Sequence, residues 1–141
     1  MQIYIFGNPD LEIDSLPIRI LPELKIRFPE IDFVILDPNE EWKIPEEMVM
    51  IDTVVGIKEL TVFDDLKHFI EAPRISVHDF DAFFNLIYLQ KLGKLKKIKI
   101  FGLPPEMSEH EAGDNLTKVI NKLYNTNRID SQESNNEESK R

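Results

Sequence analysis

The stretch that most constrains this chain is its first strand, turn and helix, residues 3–20, written Ile-Tyr-Ile-Phe-Gly-Asn-Pro-Asp-Leu-Glu-Ile-Asp-Ser-Leu-Pro-Ile-Arg-Ile. A short apolar run that stops at Gly7-Asn8-Pro9 reads as a buried strand entering a turn, and Asp14-Ser15 before Leu16-Pro17 reads as a helix start. Together they make half of a βαβ unit. In open α/β sheets ligands sit at the carboxyl edge of the strands, which puts any chemistry in loop 7–14. Asp10, Glu12 and Asp14 fill that loop with acid. They would compete for the amide groups that hold a phosphate, so the loop is suited to a cation.

The remaining apolar runs extend the same pattern. Leu16, Ile20, Leu21, Leu24 and Phe28 recur at helical spacing, with a kink or break expected at Pro22, which removes an intrahelical hydrogen bond. Residues 31–36 predict a second strand and 48–51 a third, apolar throughout as an interior parallel strand is, ending in Asp52. The link between them is too short for a full helix, leaving Trp42 and Ile44 to pin it to the core. Residues 59–63 predict an edge strand, 64–70 a short helical turn or a loop, and 74–77 a brief strand or extended segment that delivers His78. A helix opens there, with Phe80, Phe83, Phe84, Ile87, Leu89 and Leu92 as its buried face and Gly93 as its stop. Residues 96–101 give a late strand, and a final helix is expected from about Asp114. The expected fold is α/β, a three-layer sandwich in which a twisted, mostly parallel sheet of about five strands lies between helices.

A chain of 141 residues is sufficient for one domain with a real core, assigned to residues 1–124. Residues 125–141 carry almost no apolar side chains and are expected to form a disordered polar tail. The net charge of −9 and pI near 4.8 argue against nucleic acid and anionic membranes as partners. With no cysteine there is no disulfide, thiolate site or cysteine nucleophile. No apolar run approaches the ~18 residues of a membrane span, and the chain opens directly on a strand, so a cytoplasmic protein is expected.

Asp14, Asp52 and His78 stand at or just after predicted strand ends. Two carboxylates and an imidazole suit a divalent ion such as nickel, zinc or iron and leave coordination positions open. For such a site the three groups are expected to face one solvent-open cleft. Each residue also has a plainer role to weigh: Asp14 as a helix cap, Asp52 as an acceptor for turn amides, and His78 as a helix-start residue. No G-x-G-x-x-G, Walker-type lysine or nucleophile elbow is present. His68 reads as a surface residue and His110 as part of a solvated loop.

The order of these pieces resembles that of the hydrogenase maturation proteases, over residues 1 to about 123. The resemblance rests on Gly7-Asn8-Pro9 followed by Asp14, on Ile51-Asp52, on Ser76-Val77-His78-Asp79 before a helix, and on Gly102-Leu103-Pro104-Pro105-Glu106 after the late strand. It implies an endopeptidase of the aspartyl type that trims the carboxyl-terminal extension of a nickel–iron hydrogenase large-subunit precursor. Asp14, Asp52 and His78 would be both its catalytic and its metal-binding residues. The resemblance further implies that the ion is nickel already placed in the substrate, which another divalent ion can replace, and that the protease works as a monomer. Ile13, Ser15 and Pro17 stand where that family usually has glycines or a further acid. Ser15 and Pro17 motivate an alternative, a non-catalytic accessory or binding module of hydrogenase maturation with the same fold.

Overall fold

The computed structural model describes residues 1–37, 40, 42–71 and 77–139, with backbone alone at 77–82 and 127–139. Strand β1 (Gln2–Ile5) leads through a 3-10 turn (Glu12–Asp14) into α1 (Leu16–Arg19) and α2 (Leu21–Arg27). The expected break at Pro22 is present, because the two helices are separate and meet at Ile20. Then follow β2 (Asp32–Ile35), β3 (Glu47–Thr53), β4 (Thr61–Phe63), α3 (Leu66–Glu71), α4 (Val77–Lys91), β5 (Lys97–Leu103) and α5 (Glu109–Ser139). The segment read from sequence as 74–77 lies outside the described residues except for Val77, which already belongs to α4.

The strands form one sheet in the order β2-β1-β3-β5-β4. All pairings are parallel except that of β4 with β5. Alternation along each strand divides the core in two. Ile3, Ile5, Ile51, Phe101 and Leu103 meet α1, α2 and α5 on one face. Tyr4, Met48, Met50, Ile98 and Ile100 meet α3 and α4 on the other. This is the three-layer α/β architecture read from the sequence. Trp42 and Ile44 pack against the second cluster, and the Trp42 indole N–H donates to the Asp37 carbonyl at 2.7 Å, so the short β2–β3 link is pinned to the core there.

Three details differ from expectation. Leu86 is buried on α4, whereas Phe84 and Leu92 are exposed, so the helix is rotated from the face read in its sequence. Helix α5 begins at Glu109 rather than Asp114, because Ser108 accepts the Glu111 N–H on its hydroxyl at 3.1 Å and caps the first turn. His110 is therefore helical, 3.3 Å from Asp114 one turn on. The backbone of α5 runs to Ser139. Among the described residues no helix is long and apolar enough to cross a membrane.

Candidate functional site

The sheet changes direction between β1 and β3: β2 is added on one side of β1, and the chain then crosses to the other side to lay down β3. At such a switch point the two outgoing connections diverge and open a crevice at the carboxyl ends of the strands. Asp14 and Asp52 leave the sheet there. Ile5 is in register with Ile51, and the Phe6 N–H donates to the Ile51 carbonyl at 3.0 Å, which ties the exit of β1 to the residue before Asp52.

Asp14 is held by the loop that carries it. Its carbonyl accepts the Asn8 N–H at 3.0 Å and its own N–H donates to the Leu11 carbonyl at 2.9 Å. The fit at the base of the loop requires glycine, since a Cβ on Gly7 would lie 2.9 Å from the Asp14 carbonyl oxygen. Ser15 occupies the start of α1, but its hydroxyl makes no capping bond. It donates instead to the Glu12 carbonyl at 2.8 Å and accepts from the Arg19 Nε at 2.9 Å. Asp14 as a whole is 3% exposed.

Asp52 is 2% exposed and is the next-to-last residue of β3, one position deeper than the strand end expected from sequence. Its Oδ1 accepts the N–H of Thr53 at 2.7 Å. The expectation that the carboxylates face a solvent-open cleft is therefore corrected: both acids are almost wholly buried. Burial of a carboxylate is costly in apolar surroundings unless it is paired or hydrogen-bonded. Thr53, which sequence reasoning passed over, is also buried, and among the described residues its hydroxyl has no hydrogen-bond partner. A polar residue directly after a strand-ending aspartate was the available signal.

His78 is the second residue of α4, and its side chain lies outside the described residues. The backbone still fixes its neighbourhood. Helix α4 is followed by the Gly93 turn, where φ is 75°, and then by β5, so it runs back along the sheet from the carboxyl edge to the amino edge. Its 15 residues span about 22 Å, close to the roughly 23 Å of the seven-residue β5. Gly102 of β5 is the register partner of Asp52. Phe83 and Leu86 of α4 pack with Met48 and Met50, and alternation puts Asp52 on the same face as those methionines. Asp52 is thus on the face of the sheet that α4 packs against. Among the described residues no group of three His, Asp or Glu side chains is arranged to hold a metal ion.

The chain as a whole is similar to known structures. One is a [NiFe] hydrogenase maturation protease, HybD, from Thermococcus kodakarensis, at 21% identity and a TM-score of 0.57 over 87% of this chain and 99% of that one. Another is the hydrogenase maturating endopeptidase HybD from E. coli, at 20% identity and a TM-score of 0.60 over 89% and 94%. The fold is that of the hydrogenase maturation proteases. An endopeptidase from Escherichia coli is similar over 75% of both chains, at 19% identity and a TM-score of 0.55. No protein-family model matches the sequence, and no curated protein matches it in sequence.

A surface concavity of about 830 Å³ lies elsewhere, lined by Gln2, Glu47, Asp64, Lys97 and Lys99. These residues include the starts of β1, β3 and β5, so it opens at the amino edge, away from Asp14 and Asp52. Lys97 lies 3.8 Å from Glu47 and Lys99 3.7 Å from Asp64, a neutralised charge pattern rather than an anion site.

Proposed function

We propose that this chain is an endopeptidase that removes the carboxyl-terminal extension of a nickel–iron hydrogenase large-subunit precursor once nickel has been inserted. The observation that carries the reading is the pair of buried carboxylates, Asp14 and Asp52, at the switch point of a sheet whose fold is shared with two HybD proteases over nearly their whole length. In this reading Asp14, Asp52 and His78 supply two oxygen donors and one imidazole to an ion that arrives with the substrate. Three protein donors leave positions for the substrate's own ligands. An ion held by these residues between protein and substrate would supply Lewis-acid chemistry, polarising the scissile carbonyl or activating a water. The protease acts as a cytoplasmic monomer, and its acidic surface suits a protein substrate that brings its own positive charge.

The test mixes the full chain with nickel-loaded and nickel-free precursor and follows the precursor by intact mass. Loss of the extension from the loaded form alone is the expected result. Absence of cleavage in every cognate nickel-loaded precursor, by protein shown to be folded, overturns the reading.

A further inference from the structure

The loop that delivers Asp14 reverses the usual division between core and solvent. It buries a carboxylate and leaves Leu11 and Ile13 at 37% and 43% exposure, with Asp10 and Glu12 exposed beside them. Four consecutive residues therefore present acidic and apolar side chains in turn. They are not free to fold back. The Asn8 Oδ1 accepts the Asp10 N–H at 3.0 Å, the Leu11 N–H donates to the Asn8 carbonyl at 3.2 Å, and the bond from the Asn8 N–H to the Asp14 carbonyl closes the loop at its base.

Apolar side chains held in water by a rigid loop lose hydrophobic stabilisation inside the chain, but they dock with little ordering cost. Acidic neighbours repel an acidic partner and attract a basic one. The same argument disfavours a second copy of this chain, whose net charge is −9. The loop also leaves β1 at the switch point, so whatever it grips lies beside the edge that holds Asp52.

We propose that residues 10–13 form a docking strip for an incoming polypeptide, at a segment carrying both basic and apolar side chains. This rests on the endopeptidase reading for the identity of that polypeptide, the precursor, but not for the strip's binding chemistry.

The probes are short Gly/Ser-based peptides carrying Lys with Leu, Glu with Leu, or Lys with Asn, titrated by fluorescence anisotropy against the full chain. Two double variants are titrated alongside it: Leu11→Ser with Ile13→Ser, and Asp10→Asn with Glu12→Gln. The Lys/Leu peptide is expected to bind, and each double variant to weaken it by about tenfold or more with an unchanged circular dichroism spectrum. Equal binding of the Lys/Leu peptide by the Leu11/Ile13 double variant overturns the proposal, as does equally tight binding of the Lys/Asn peptide, which would reflect only attraction to an acidic chain. Self-association abolished by the Leu11/Ile13 variant, without peptide binding, overturns it in favour of a second copy. Precursor processing separates the two readings: cleavage with a KM unaffected by the Leu11/Ile13 variant removes the strip and keeps the endopeptidase, while strip-dependent peptide binding without cleavage does the reverse.

Discussion

Asp52 stands in register with Gly102 across β3 and β5, and a Cβ on that glycine would lie 2.8 Å from Val54 and 2.9 Å from Phe63. The strand that flanks the candidate acid is therefore seated without room for a methyl group. Gly102→Ala is expected to destabilise the fold by about 1–3 kcal/mol, the usual range for overpacking. Denaturant unfolding measures it, and stability equal to that of the native chain would show that Val54 and Phe63 yield freely.

Gly7→Ala acts on the other acid. Its Cβ would meet the backbone oxygen of Asp14, which is already fixed by the Asn8 N–H, so the loop must open rather than a side chain swing aside. Lost protection of the Asn8 amide in hydrogen exchange is the expected signature, along with stability lower by about 1–3 kcal/mol.

Strands β1 to β3 were legible as short apolar runs bounded by turn residues, β5 by its Lys/Ile alternation, and the break between α1 and α2 because Pro22 has no N–H to donate. The placement of Asp52 at a carboxyl edge followed from the same run. The face of α4 was not legible. Phe83, Phe84, Leu86, Ile87, Tyr88, Leu89 and Leu92 surround the helix, so periodicity cannot choose a side, and Met48, Met50 and Ile98 of the sheet choose it instead. The start of α5 was written in Ser108 and Glu111, which have capping-box spacing, but few apolar residues follow at once to mark the helix. Burial of Asp14 was not legible, because loop composition does not say which side chains of a loop turn inward.

Ser108→Ala removes the acceptor of the Glu111 N–H and leaves the first turn of α5 without its cap. The expected loss is about 1 kcal/mol. Thermal unfolding checks it, and Ser108→Asp, which restores an acceptor and complements the helix dipole, is expected to recover stability.

Asp65 bonds both the backbone N–H and the ring of His68, at 2.7 Å in each case, on the exposed first turn of α3. These bonds hold the Asp65 carboxyl below its ordinary value, by the backbone bond first and the ring bond second. The ring bond, followed by the carboxylate's charge, raises His68 above 6.5. The raised His68 contributes stability that is complete below 6.5 and is lost as pH rises through its folded value. The lowered Asp65 contributes stability present above 3.8 that is lost as pH falls through its folded value. The pair therefore supports α3 most between those limits. In an NMR titration Asp65→Asn is expected to return His68 toward its ordinary value, and an unchanged His68 midpoint would exclude the pairing in solution.

Asp14→Asn and Asp52→Asn keep the size of each buried side chain and remove its charge. The amide that replaces the Asp52 carboxylate retains an oxygen for the Thr53 N–H, so the end of β3 keeps its bond and the melting temperature is not expected to fall. Loss of charge matters instead for an ion, because a neutral amide is a poor substitute for a carboxylate donor. In the endopeptidase reading either change lowers processing of nickel-loaded precursor by at least about a hundredfold, beyond what loss of an outer hydrogen-bond partner costs a metal site. His78→Ala is expected to do the same. Precursor binding measured through residues 10–13 should survive all three substitutions, since that strip lies on the exposed side of the loop whereas Asp14 and Asp52 are buried. Full processing by both Asn variants would remove the two acids from the chemistry, and retained precursor binding without processing by the native chain would make the protein an accessory module with a protease fold.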